Sequence, residues 1–172
     1  MPDGRRVKGE RRRRLLLDAT LRLVGRAGAV AVTQRAVAAE AGVAPSAVLY
    51  YFPTVDDLLV AALRDVNDRW VGALQDLPAD RSAALDALAV MVRGSPTGDE
   101  GLAEFELYLL SARRPELRPE LDRWWGALDA VAARLAPDRA TAFAAALDGL
   151  FLRASTGVDL PDVRVVLAHL AS

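Results

Sequence analysis

The chain has 172 residues and no cysteine, so disulfides, thiolate metal sites and cysteine nucleophiles are excluded together; the lack fits a reducing compartment. Its one histidine is His169, close to the end of the chain, and imidazole-based metal binding or acid–base catalysis has almost no material to work with. Lys8 is the single lysine, so nearly all positive charge is arginine. No apolar run approaches the roughly 18 to 20 residues of a membrane-spanning helix, because Arg, Asp or Glu interrupts each one. The basic-then-apolar start resembles a signal peptide only superficially: Asp18 and Arg22 break the apolar segment, and no small-residue cleavage site follows. The expected compartment is the cytoplasm, with no membrane partner and no cofactor.

The formal net charge of -1 conceals two halves of opposite sign. Residues 1–53 carry ten Arg or Lys against four acids, a net of +6, and leave -7 for the remainder. A basic first third on an acidic remainder points to contact with a polyanion through the first third only; a solvated basic tail is the alternative.

Alternating strand patterns are missing, and apolar residues recur at helical spacing throughout, which predicts an all-α protein of about nine helices. The first spans about 11–27, with Leu16, Thr20, Leu23 and Val24 on one face and Gly28 as its stop. The second runs from a Thr33 cap to Gly42, with Val37, Ala38 and Ala41 inward; the third opens at Ala44-Pro45-Ser46 and ends near Phe52-Pro53. Thr54 caps a fourth to about Leu74, and later helices are expected over about 81–93, 102–113, 119–135, 138–154 and 161–170. The Gly-rich stretch 94–101 is expected to be a mobile loop.

Residues 33–52 carry the strongest signal. A helix-turn-helix needs a small residue where two helices cross, a turn that permits left-handed backbone, and an apolar residue to lock it; Ala38, Gly42 and Val43 meet these needs in order. The second of the two helices then faces outward, as one that enters a major groove must.

Over about residues 11–63 the chain resembles the tetracycline-repressor (TetR) family. The matching positions are Leu16-Leu17-Asp18-Ala19, Gly28, Val32-Thr33, Val37-Ala38, Ala41-Gly42-Val43, Tyr51-Phe52 and Asp57-Leu58-Leu59. The resemblance implies an N-terminal helix-turn-helix DNA-binding domain (1–53), a C-terminal effector-binding and dimerisation domain (54–172), and a homodimer. It implies that Thr33 anchors a phosphate, that Arg35 reaches a base edge with Gln34 beside it, that Ala44, Pro45, Ser46, Ala47 and Tyr50 face the groove, and that Tyr51 meets the phosphate backbone. Three positions depart from the family pattern: Leu49 stands for a usual tyrosine, Val55 for a phosphate-binding lysine, and Ala44 for a serine cap. The basic arm with Arg5, Arg6, Lys8, Arg11 and Arg12 is placed to compensate, along phosphates or in the minor groove; a disordered solubilising tail is the other reading.

The C-terminal half has no comparable signature. Trp70, Met91, Phe105, Tyr108, Trp124, Trp125 and Phe143 are the large side chains available to line an effector pocket. Adjacent helical positions diverge by about 100 degrees, so Trp124 and Trp125 cannot both face one thin core. Glu104 and Glu106 are candidates to meet a cationic ligand. Resemblance to the family's last two helices assigns a dimer interface to Leu147, Gly149, Leu150, Phe151, Val165 and Val166, with Gly149 permitting close approach. The expected function is a DNA-binding transcriptional regulator, a repressor released from a pseudo-palindromic operator by a small molecule. The alternatives are the same fold as a protein-binding or DNA-binding-impaired regulator and, more remotely, a helical-bundle enzyme, for which the Glu-x-x-His pair of a metal site is missing.

Overall fold

A computed structural model describes residues 4–172, except for the side chain of Arg5. Among the described residues there are nine α-helices and no strand: α1 (Gly4–Ala27), α2 (Gln34–Ala41), α3 (Pro45–Tyr51), α4 (Val55–Gln75), α5 (Arg81–Arg93), α6 (Gly98–Leu110), α7 (Arg118–Leu135), α8 (Ala140–Ser155) and α9 (Val163–Leu170). Short 3-10 turns at Ala29–Ala31, Pro115–Leu117 and Pro137–Arg139 join some of them.

The helix boundaries follow local chemistry. The Thr33 hydroxyl accepts from the Ala36 N–H at 3.0 Å and so starts α2. Gly42, at φ 65°, ends it in left-handed backbone, and the Val43 N–H closes the turn on the Ala38 carbonyl at 2.9 Å. Thr54 and Asp57 form a reciprocal capping box at the start of α4, each side chain accepting the other's backbone N–H at 3.0 Å.

Two expectations are corrected. The basic arm is a continuation of α1, which begins at Gly4; Arg and Lys favour helix, and the exposed Arg6–Glu10 and Arg14–Asp18 pairs at 3.9 and 3.3 Å support it one turn apart. The stretch 94–101 is no open loop: α6 starts at Gly98, and Gly101 is buried. A Cβ on Gly101 would fall 3.0 Å from the Ser155 Cβ and nearer still to the Pro96 carbonyl oxygen. Glycine serves there for close packing, not mobility.

Apolar residues separate into two cores that meet along α4. Leu16, Val24, Val37, Val48, Phe52, Leu58 and Leu59 build the first, joined from α6 by Ala103 and Leu107 and by Leu117. Val71 and Leu74 at the far end of α4 belong to the second, with Leu88 of α5, Leu128 of α7, Phe143 and Leu147 of α8 and Leu167 of α9. Burying one such Leu or Phe side chain contributes about 1.5–3 kcal/mol.

Polar ties hold the two cores in register. The Ala29 N–H, just after α1, donates to Glu106 of α6. Arg114 pairs with Asp56 at the start of α4. The buried Glu120 of α7 receives Arg64 Nε at 2.7 Å and lies 3.3 Å from the Asn67 side-chain amide, both on α4. α1 and α6 approach closely through their backbones: a Cβ on Gly25 would fall 2.6 Å from the Asp99 carbonyl carbon.

Candidate nucleic-acid interface and ligand cavity

Only Val48 of α3 is fully buried. With Phe52 it roots the helix in the first core and leaves Ala44, Pro45, Ser46, Leu49 and Tyr50 exposed, Tyr50 at 81 %. Ala47 and Tyr51 are half-buried, and the two tyrosine rings meet edge to face at 5.1 Å. Ala44 heads the helix without any side-chain cap. Thr33 and Arg35 are exposed beside this surface, and the Thr33 hydroxyl, already accepting from Ala36, keeps its own hydrogen free to donate. Gln34 does something the sequence did not reveal: its amide donates to the Phe52 and Pro53 carbonyls at 3.2 and 2.6 Å, tying the start of α2 to the end of α3.

Charge on this head is partly consumed internally. Arg22 and Arg26 of α1 both grip Glu40 of α2 at 2.8 Å, and these bonds hold the Glu40 carboxyl below the usual carboxylate range. Arg14 pairs with Asp65, and Arg13 lies 5.3 Å over the Phe52 ring. Lys8, Arg11 and Arg12 remain as exposed cations on the N-terminal turns of α1, which pass beside Tyr51 at Gly9; the Arg5 side chain lies outside the described residues.

A narrow cavity of about 40 Å³ lies between α4, α6, α7 and α8. Trp70, Phe105, Tyr108, Trp124 and Phe151 line it, with Leu63, Val66, Asn67, Ser95 and Ser155 completing the wall. Phe151 makes edge-to-face contacts with two other lining rings, Trp70 at 5.4 Å and Trp124 at 5.7 Å. Glu104 is the one carboxylate in the lining. Its oxygens receive Trp70 Nε1 at 3.0 Å and Arg69 Nη2 at 3.2 Å, yet burial prevails and pushes its pKa up. The Tyr108 hydroxyl is buried, with no hydrogen-bond partner among the described residues; burial and the nearby Asp148 carboxylate push its pKa well above the ordinary phenol value.

Several expected site residues lie elsewhere. Phe143 is fully buried in the second core, and Met91 packs against that core; neither lines the cavity. The structure separates the adjacent tryptophans: Trp124 enters the cavity and bonds Asp148 at 3.0 Å, while Trp125 is 45 % exposed and stacks on the outer side of Tyr108 at 6.4 Å. Glu106 faces away from the cavity toward Ala29. Of the expected interface residues, Leu147, Leu150 and Phe151 are buried within the single chain, so they have no surface to offer a second copy. Gly149 and Val165 are exposed and Val166 is half-buried. Asn67 and Ser155 were not legible in the sequence because polar residues inside helices carry no local mark of burial, and Ser95 because it lies in the 94–101 connector expected to be mobile.

A second, larger groove of about 570 Å³ runs between the end of α4 and α7. The arginines at its rim are already engaged, Arg123 with Asp68 at 2.6 Å and Arg134 with the Pro78 carbonyl at 2.7 Å. Apart from these arginines and Gln75 its lining is apolar, so the aromatic cavity with its carboxylate is the better candidate for a ligand.

An outward α3 behind a glycine turn, seated on a separate helical unit, defines a helix-turn-helix DNA-binding regulator. Residues 16–62 match the model of the bacterial regulatory proteins, tetR family, and residues 79–172 match that of the tetracyclin repressor-like C-terminal domain. The chain belongs to the TetR family and is a transcriptional regulator. It is 30% identical over 173 residues to the HTH-type transcriptional regulator BetI of Brucella abortus (strain 2308), covering 91% of this chain and 86% of that one. Among solved structures, the multidrug binding protein EbrR complexed with ethidium is 38% identical, covering 92% of this chain and 97% of that one, with a TM-score of 0.71. A TetR-family member from Streptomyces coelicolor A3, SCO1917, is 35% identical over 92% of this chain and 97% of that one, with a TM-score of 0.76.

Proposed function

We propose that the chain is a homodimeric repressor, acting by binding and not by catalysis, that leaves its operator when a cationic aromatic ligand enters the cavity beside Glu104. Residues 1–53 form the DNA-reading unit and 54–172 the ligand-binding and dimerising unit, with the first half of α4 packed into the head. Two copies set their α3 helices about 34–36 Å apart, in successive major grooves of a pseudo-palindromic site. Arg35, Ser46 and Tyr50 read bases while Thr33, Tyr51 and the basic turns of α1 meet phosphates. The outer face of α8, with Ala142, Ala145, Gly149 and Leu152 at helical spacing, meets its copy together with Val165 and Val166 of α9.

The observation that carries this reading is that α6 serves both units. One of its faces gives Glu104, Phe105 and Tyr108 to the cavity, and the other gives Glu106 to Ala29 of the head. Drug-sized ligands occupy sites of roughly 300–1,000 Å³, so a cavity of about 40 Å³ must widen to take one. Widening displaces α6, and the α1–α6 contact passes that displacement to the head. A ligand shifts the equilibrium only by its differential affinity for the two shapes, and the widened shape is the one it favours. Ligand chemistry follows from the lining: a buried carboxylate among aromatic rings favours a flat organic cation. EbrR complexes with ethidium and malachite green support that choice.

The test is a fluorescence-anisotropy titration of labelled duplex from the DNA flanking the chain's own gene, at 50 and 200 mM salt, followed by malachite green. Expected are tight binding with a steep salt slope, twice the mass of one chain in light scattering, and release by the dye. The Glu104→Gln variant on the same duplex controls for dye acting on DNA and should resist release. Salt-independent association, or a monomer at assay concentration, would overturn the reading.

A further inference from the structure

Glu104 and Glu120 are both buried carboxylates, but they are held in opposite ways. Glu120 has Arg64 at 2.7 Å, Arg123 at 3.5 Å and the Asn67 amide at 3.3 Å, and lines neither the aromatic cavity nor the larger groove. Among the described residues Glu104 has a single cationic partner, Arg69, at 3.2 Å, and it faces the cavity. The Arg69 side chain is 41% exposed against 10% for Glu104, so the cation of this pair sits at the edge of solvent while the anion does not. Arg69 also has a second carboxylate within reach: Glu100, one helical turn before Glu104 on α6, is 61% exposed and lies 3.9 Å from its other terminal nitrogen.

We propose that Arg69 is a resident stand-in for the ligand's positive charge: it neutralises Glu104 while the cavity is empty, and an entering organic cation displaces it onto Glu100. The proposal rests on the cation-binding reading above and adds the residue that sets affinity and charge selectivity. A buried carboxylate left without a counter-charge is costly, so something must neutralise it in the empty state. A half-exposed arginine does so at small net gain, because it is solvated whether it points inward or outward. Exchange then trades one cation for another at Glu104, while Trp70 keeps its bond to the other carboxylate oxygen throughout. A neutral molecule of the same shape offers no such trade and leaves Arg69 in place. Since Arg69 lies on α4 and both glutamates on α6, the exchange moves one tie between these helices from the buried Glu104 to the exposed Glu100 as the cavity opens.

Ethidium titrated into the full-length protein without DNA, and followed by its own fluorescence, tests this. Arg69→Ala should bind ethidium about two- to fivefold more tightly than wild type, the range of a half-exposed ion pair. Arg69→Lys, which keeps a cation, should stay near wild type. Glu104→Gln should bind more weakly, and adding Arg69→Ala to it should bring no gain, because the competition acts only through that carboxylate. If Arg69→Ala binds equally or more weakly while Glu104→Gln is impaired, Arg69 supports the site instead of competing for it, and this proposal fails alone. If neither wild type nor Arg69→Ala binds ethidium saturably, the cation-binding reading fails and takes this one with it.

Discussion

Gly25→Ala isolates the contact through which α6 meets the DNA-reading head. Gly25 lies inside α1, where alanine is ordinarily the better residue by about 1 kcal/mol. Here the added Cβ would fall 2.6 Å from the Asp99 carbonyl carbon, against about 3.5–4.0 Å for a relaxed carbon–carbon contact, so the helices must part by roughly 1 Å. The obstacle is backbone at the first turn of α6, which has no rotamer by which to retreat. Overpacking of this kind costs about 1–3 kcal/mol, and a collision with backbone belongs at the upper end. Set against the gain in helix propensity, the net is a loss of about 2 kcal/mol, or a Tm lower by about 4–8 °C for a chain of this size. Differential scanning calorimetry reads the shift. Gly126→Ala is the matched control, because nothing lies within 4 Å of its Cβ position, and it should hold or raise Tm. Operator affinity in Gly25→Ala should fall as well, since the head is docked on a displaced α6. A Tm for Gly25→Ala equal to or above wild type, moving together with the control, would refute the backbone contact and the route of coupling drawn from it.

Other substitutions probe separate parts. Arg35→Ala should weaken operator binding by about 1–3 kcal/mol and relax the base preference at one position of each half-site, read by titrating single-base variants of the duplex. Thr54→Ala removes the hydroxyl that accepts the Asp57 N–H in the α4 capping box, leaving the reciprocal bond from the backbone N–H of residue 54, and should cost about 1 kcal/mol, seen as a lower urea midpoint at unchanged m. Burial raises the Glu104 pKa, so between its unfolded and folded values the native state holds more proton than the unfolded chain. That contribution to stability is complete below the ordinary glutamate range and is lost as pH rises through the folded value. Urea titrations across this window should therefore show wild type losing ground to Glu104→Gln as pH rises, while ethidium binding to wild type strengthens as the carboxylate ionises; a difference independent of pH would refute the assignment.

Much of the head was legible in the chain alone because its signals are local. Capping by Thr33 and Thr54 involves side chains three residues from the N–H they accept, and the turn at Gly42 needs one residue able to hold φ near 65°. Helical spacing of Leu16, Thr20 and Val24 fixed the buried face of α1, all three being fully buried. The stretch at 94–101 misled for an instructive reason: glycine marks both mobile backbone and tight packing, and only the presence of Ser155 and Pro96 against Gly101 tells which applies.

The cavity depended on long-range placement. Spacing alone put Glu104 and Glu106 on neighbouring faces of one helix; which face met aromatic rings and which met Ala29 was decided by how α6 docks between α1, α4 and α8. The same limit explains α8, where an apolar run shows that Leu147, Leu150 and Phe151 are buried but not against what. Sequence by itself determined most of the helices, the Thr33 and Thr54 caps and the outward face of α3, because these follow from interactions a few residues long. Tertiary structure alone decided the aromatic cavity, the partner of each buried charge and the face of α8 left exposed, because each arises where helices distant in the chain are packed together.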